Sequence, residues 1–347
     1  MANLSSVTGF PPVDALPRDA SRPAPVRTDP APVPEQRDQA VLQLTELEHS
    51  AQAQECKWAS QAAAGPQKCV VGVLTGDAWV KNGFVYLEEL AQSILASGGV
   101  PRLICPGRGD AGAQLDGVDA LLVPGGGNLD PRYFGKEQSE HLVDRSLDTA
   151  LDKLQMECVT EAEVRSLPML GICRGMQSMN IAPVPAGKAG ALPEAYQDVK
   201  LPEGVSWSPG GTLVQDIVHE HPFAPNTLDH WNQQKVENRP LRRFPDHGIS
   251  IDPHSRLGKI LGPNVEVVNS IHRQCIGVVS PMMAVVAWAP DGVPEAIERK
   301  DAPHQIGVQW HPEWQRLDDP RMQRLFDTLV DDGARFRRGE LGAGKST

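Results

Sequence analysis

The chain has 347 residues, 40% of them hydrophobic and only 5% aromatic, with a formal net charge of -11. That length supports one large α/β domain with a substantial core, and the acidic balance argues against a general nucleic-acid binder, because no stripe of Lys and Arg is available for phosphate contacts. No stretch approaches about 18 uninterrupted apolar residues and no basic-plus-apolar leader opens the sequence, so the expectation is a cytoplasmic protein with no membrane partner.

The run of prolines from Pro11 to Pro34 denies the first 40 or so residues both helix and ladder hydrogen bonds, which predicts a disordered extension. Residues 41–62 are rich in Ala, Gln and Leu and suit one short helix, whose docking is left open. The expected organisation is an extension over 1–66, a folded domain over 67–333 and a flexible tail over 334–347. Within the domain, Cys69 to Leu74 is a continuous apolar run of the kind that forms a buried parallel strand. Phe84, Leu87, Ala91, Ile94 and Leu95 then recur at helical spacing, and Gly98-Gly99 stops that helix before a strand at Val100 to Ile104. Ala120 to Val123 reads as the next strand. Leu147, Leu151, Leu154 and Cys158 mark a long helix, followed by a strand at Met169 to Ile172. Further strands are expected at Val265–Val268, Met283–Ala287, Ala296–Glu298 and Ile306–Val308. In the last helix, Asp319 caps, Pro320 takes the first position and Gly333 terminates. The alternation predicts an α/β fold: a doubly wound, mostly parallel sheet flanked by helices. The six cysteines are scattered, with no CxxC pair and no Cys/His spacing of a zinc site, so they read as reduced thiols and no metal is expected.

Three strand ends carry chemistry. Gly171-Ile172-Cys173-Arg174-Gly175 places a cysteine where a strand turns sharply into a helix, the logic of a nucleophile elbow, with the helix N-terminus favouring thiolate. Gly307-Val308-Gln309-Trp310-His311-Pro312-Glu313 ends another strand in a histidine with a carboxylate two residues on. Neighbouring parallel strands present their C-terminal ends on one edge, so His311 can take the Cys173 proton while Glu313 orients its ring. Val123-Pro124-Gly125-Gly126-Gly127 is the third: backbone N–H groups of Gly126 or Gly127, with that of Arg174, suit an oxyanion hole. Each motif alone is compatible with a purely structural role.

Together, the segments Pro124 to Asn128, Asp130 to Gly135, Leu170 to Gln177, Gly210 to Asp216, Val268 to Gln274 and Gly307 to Trp314 resemble the γ-glutamyl-γ-aminobutyrate hydrolase family (peptidase C26), a branch of the class I glutamine amidotransferase-like proteins. The resemblance covers roughly residues 69 to 331 and implies a flavodoxin-like sheet. It also implies hydrolysis of a γ-glutamyl amide of a small amine through a thioester on Cys173, with no metal or organic cofactor. By the same resemblance, Gln177, Ser270 and His272 contribute to the glutamyl pocket. The expected partner is a small-molecule γ-glutamyl substrate, with self-association as a homo-oligomer left open. Arg132 is a weaker candidate for attracting a substrate carboxylate.

The chain departs from that family pattern at Asn128, where an acidic residue is usual, and in an insertion over about 183–209 that suits a structured loop or lid near the site. Gly339 to Ser346 fits a phosphate-binding loop in letters only, because that motif needs a strand before it and a helix after it. Two other functions remain in view: a glutaminase supplying ammonia to a separate synthetase, and a binding protein that keeps the fold without the chemistry.

Overall fold

The computed structural model describes residues 52–62, 68–76, 85–142, 147–183, 210–221, 228–231, 246–262 and 267–341. The Pro-rich segment, all but the first residue of the 183–209 insertion and the last six residues of the chain lie outside them.

Short apolar runs became the strands of an eight-stranded sheet, ordered β2-β1-β3-β4-β12-β11-β10-β7. Its first five members are β2 (Val100–Ile104), β1 (Val70–Leu74), β3 (Ala120–Val123), β4 (Met169–Ile172) and β12 (Gln305–Val308). They are mutually parallel, in the order of flavodoxin-like sheets. The sheet then continues antiparallel through β11 (Pro294–Arg299), β10 (Met283–Trp288) and β7 (Ser250–Ile251). Two small antiparallel pairs stand apart from it. One joins β5 (Leu213–Val214) to β9 (Cys275–Ile276), the other β6 (Asp246–Gly248) to β8 (Val267–Asn269).

Because alternate residues of a strand face opposite sides, the buried strands feed two cores. Val71, Val73, Leu122, Ile172 and Val308 pack under α1 (52–61), α2 (Val85–Ala96), α7 (Arg256–Leu261) and α9 (Gln323–Arg337). Leu121, Val123, Met169 and Ile297 pack under α3 (Ala111–Leu115), α4 (Thr149–Arg165) and α5 (Arg174–Ile181). The 3-10 turn Pro131–Phe134, α6 (Ile217–Glu220) and α8 (Pro312–Gln315) complete the described elements. None of the described helices is long and apolar enough to cross a membrane.

Four details differ from expectation or fill a gap in it. Helix α1, whose docking was open, is held to the domain: Trp58 is fully buried and donates to Glu88 at 3.0 Å, while Glu55 accepts from the Leu103 N–H at 2.7 Å. Helix α9 starts at Gln323 rather than at Pro320, because Asp319 caps a preceding turn through the Arg321 N–H at 3.0 Å. Gly333 lies inside that helix instead of ending it. A β-carbon there would stand 2.5 Å from the Cys69 sulfur, so close packing of helix on strand explains the glycine. Arg132 is committed to Asp130 in its own turn, with Nε 3.0 Å from each carboxylate oxygen. The letters of the phosphate-loop motif follow directly on α9, with no strand before them.

Candidate active site

Register fixes where the chemistry can meet. Val123 of β3 pairs with Gly171 of β4, and Ile172 of β4 pairs with Val308 of β12, so all three strands run out at the same edge. The Cys173 N–H then donates to the Val308 carbonyl at 2.7 Å, and the chain turns into α5. Cys173 holds φ 52° and ψ -108°, a left-handed-side conformation that costs a non-glycine residue free energy. The flanking glycines explain how the turn is packed. A β-carbon at Gly175 would lie 1.9 Å from the Val123 carbonyl oxygen, and one at Gly171 would lie 2.6 Å from the Met179 sulfur. Helix α5 therefore sits against β3 and β4 closer than any side chain allows, with a strained cysteine at its N-terminus.

His311 begins α8 just past β12, and Pro312 at the first helical position presets the turn. Its Nδ1 lies 2.6 Å from Glu313 Oε1, short even for a charge-assisted hydrogen bond. The same ring interacts with the Cys173 side chain. Burial pulls the imidazole pKa down, but the Glu313 charge and the Cys173 contact outweigh it and push the value up to about 10. Asn269 locks the His311 backbone from both sides, accepting from its N–H and donating to its carbonyl at 2.8 Å each.

Two aromatic neighbours went unread in the sequence. Trp314 stacks on the His311 ring, centroids 4.3 Å apart and 15° from parallel. Tyr86, from α2, places its hydroxyl 3.3 Å from His311 Nδ1. Burial, then the facing Glu313 and Cys173, lift the phenol well above the ordinary tyrosine range, so it stays protonated. Trp314 is three residues beyond His311 and was visible as part of a motif. Tyr86 is 225 residues from His311 and carries no local signal.

The glycine loop reaches the same place by Gly125: a β-carbon there would stand 2.7 Å from His311 Cε1 and 3.3 Å from the Cys173 β-carbon. Gly126 and Gly127 follow as exposed backbone at the rim. The Arg174 side chain turns away and forms a buried ion pair with Asp152 of α4, so only its backbone is left to face the elbow. Burial raises the Asp152 carboxyl above its usual range against the opposing pull of Arg174.

The residues expected in a glutamyl pocket form a layer behind these groups. Gln177 donates to the Gln274 carbonyl at 3.0 Å and to Gln309 Oε1 at 3.2 Å. Ser270 is fully buried, its hydroxyl 3.1 Å from His230 Nδ1. His272 bonds the Gln274 carbonyl through Nδ1 at 3.0 Å and faces Glu295 with Nε2 at 3.6 Å. Their polar groups thus face other groups of the protein, with His272 Nε2 making no hydrogen bond. A cavity of about 230 Å³ opens on the far side of this layer, between His272, Arg273, Trp231 and Asp216, and neither Cys173 nor His311 lines it.

A strained cysteine at a strand-to-helix turn, beside a His–Glu pair on the next strand of a flavodoxin-like sheet, defines the class I glutamine amidotransferase-like architecture. The family model described as Peptidase C26 matches residues 69–189 and 204–313. The chain belongs to that family and is a hydrolase by class. Similar proteins include the glutamine amidotransferase-like protein RP404 of Rickettsia prowazekii, 30% identical over 259 residues, or 70% of this chain and 87% of that one. The γ-glutamyl-γ-aminobutyrate hydrolase PuuD of Escherichia coli is 26% identical over 250 residues, covering 70% and 84%. Protein NtpR of Enterococcus hirae is 27% identical over 223 residues, covering 64% and 78%.

Proposed function

We propose that the protein hydrolyses the γ-glutamyl amide bond of a γ-glutamylated small amine through a thioester on Cys173. The observation that carries this reading is the strained Cys173 in contact with an imidazole that Glu313 holds at 2.6 Å. PuuD, a relative of which the alignment covers 84%, bears a name that specifies γ-glutamyl-γ-aminobutyrate, which favours a γ-glutamyl donor here.

The steps follow from the groups present. His311 takes the Cys173 proton, and the sulfur attacks the γ-carbonyl carbon. The oxyanion of the tetrahedral intermediate is met by the Arg174 N–H and by N–H groups of the glycine loop at Gly126 and Gly127. Collapse breaks the C–N bond, and the amine leaves with the proton from His311. Water, deprotonated by the same imidazole, attacks the thioester, releases glutamate and restores the thiol. Glu313 fixes the ring so that one nitrogen serves the sulfur, and it stabilises the imidazolium formed on the way. The Trp314 face and the Tyr86 hydroxyl hold the ring in plane.

The test is glutamate release from γ-glutamyl-γ-aminobutyrate, γ-glutamyl polyamines, γ-glutamyl anilide and glutamine, with wild type and Cys173→Ala side by side. Turnover of a γ-glutamyl amine, lost in the variant, and a γ-glutamyl adduct on wild type in quenched mass spectra are expected. Turnover of glutamine alone makes the protein a glutaminase; no adduct and no turnover with any donor overturns the reading.

A further inference from the structure

Behind the His311 loop, four segments distant in sequence bring His230, His247, His272 and Glu295 together, with one donor atom of each within 4.8 Å of the others. All four are buried, Glu295 completely. His247 Nε2, His272 Nε2 and His230 Nδ1 lie 3.4, 3.6 and 3.8 Å from the same oxygen, Glu295 Oε1. None of these contacts is a hydrogen bond: His247 Nε2, His272 Nε2 and both carboxylate oxygens of Glu295 are buried without a hydrogen-bond partner.

The outer nitrogens show why. His247 Nδ1 faces the Gly248 carbonyl at 3.0 Å, and His272 Nδ1 the Gln274 carbonyl at 3.0 Å. His230 Nε2 faces Asp291 Oδ2 at 3.0 Å. A carbonyl or carboxylate can only accept, so each ring, when neutral, carries its proton on the outside and turns a lone pair inward. His230 Nδ1 has one other neighbour, the Ser270 hydroxyl at 3.1 Å, which also reaches the His230 carbonyl at 3.2 Å. Asp291 is anchored in turn by the Leu228 N–H at 2.8 Å and the Val293 N–H at 3.3 Å. Three inward lone pairs and a carboxylate make four acceptors around one point, with no donor among them.

Such a centre calls for positive charge, and the geometry points to a divalent transition metal, zinc by its donor set, held by His230, His247, His272 and Glu295. Ligands at 2.0–2.1 Å from a tetrahedral zinc stand about 3.3 Å from one another, close to the three spacings that meet at Glu295. Outer-shell carbonyl and carboxylate partners on every imidazole are the arrangement that fixes the tautomer of a ligating histidine. Four protein ligands close the coordination sphere, so the ion is structural and takes no part in bond breaking. It would tie residues 228–231, β6, the segment after β8 and β11 into one unit. That unit abuts the catalytic loop: Gln309 N–H donates to the Glu295 carbonyl at 2.8 Å, and Asn269 holds His311. Two of the four residues, His230 and His272, also line the cavity described above.

Full-length protein, grown with zinc and passed through chelator-treated buffer, is to be assayed for metal by mass spectrometry. About one zinc per chain is expected in wild type and in Cys173→Ala, and less than about a tenth of that in His247→Ala and Glu295→Gln. Stripped wild type titrated with Co2+ should develop a visible d–d band that saturates at one equivalent, and zinc should raise its melting temperature. X-ray absorption of the zinc protein should show only nitrogen and oxygen at about 2.0–2.1 Å. If the variants do not fold, the titration and the absorption spectrum of wild type decide alone. Wild type without bound metal or a Co2+ band, metal retained by both variants, or a sulfur shell at about 2.3 Å would each overturn the assignment, the first by showing that protons neutralise Glu295 instead.

Discussion

Two buried groupings of histidine and glutamate adjoin each other, and they differ in the distance between imidazole and carboxylate. At the elbow, one histidine and one glutamate share a hydrogen bond of 2.6 Å, with a thiol interacting with the same ring. Behind it, three histidines surround one glutamate oxygen at 3.4 to 3.8 Å with no bond between them. A short contact is the geometry of a base whose proton is steered; a set of longer, convergent ones is the geometry of ligands around an ion. On the two proposals above, the same two residue types would serve proton transfer in one place and coordination in the other, with the outward partners of the rings deciding which.

The largest effect separates the two by activity. Cys173→Ala should lower kcat by about 10⁴-fold or more, as removal of a covalent nucleophile does in comparable triads, with metal content unchanged. Measured single-turnover rates that stay within tenfold of wild type would remove Cys173 from the chemistry. Glu313→Gln comes next, with a loss of about 10²–10⁴-fold. It also has a signature in pH. The Glu313 charge is the main influence raising His311 to about 10, against burial. A raised imidazole keeps its proton through neutrality and loses it only as pH climbs through that value. Without the carboxylate, the alkaline limb of kcat/KM should therefore move to lower pH. A limb that stays put in a pH–rate profile would mean that another group sets it.

Glu295→Gln should invert that pattern. Loss of bound metal and a lower melting temperature are expected, while kcat for the protein that remains folded falls by less than about tenfold, because Glu295 touches no reacting atom. Calorimetry and steady-state rates on one preparation distinguish the cases. A kcat loss as large as that of Glu313→Gln, with melting unchanged, would make Glu295 part of the catalytic apparatus and erase the distinction between the two groupings.

The same contrast explains what the sequence disclosed. β2, β3 and β4 were legible residue for residue, because fully buried strands are short apolar runs bounded by turns; Cys173 and His311 stood out because they follow the ends of such runs, and Glu313 because it lies two residues beyond His311. β5, β6, β7 and β9, of two or three residues each, carry too few positions for a periodicity. The metal-type cluster was missed for a related reason. His230, His247, His272 and Glu295 come from four segments, of which only β11 belongs to the main sheet, and no two share the close spacing of zinc motifs. His272 and Ser270 were singled out by family resemblance for substrate, whereas their polar atoms face His230, Gln274 and Glu295. Topology, rather than local spacing, assembled that layer.

The smallest effect tests whether distance alone discriminates within the first grouping. Tyr86 Oη stands 3.3 Å from His311 Nδ1, the nitrogen that Glu313 Oε1 already holds at 2.6 Å. A hydrogen bond this long contributes about 0.5–1.5 kcal/mol, so Tyr86→Phe should reduce kcat by no more than about tenfold. The phenol remains protonated across the working range, so the alkaline limb of the pH profile should not move. Ring packing survives the substitution, because the edge-on contact of Tyr86 with Trp314, centroids 5.4 Å apart, needs no hydroxyl. A loss matching that of Glu313→Gln would mean that the hydroxyl, and not the carboxylate alone, steers the imidazole proton.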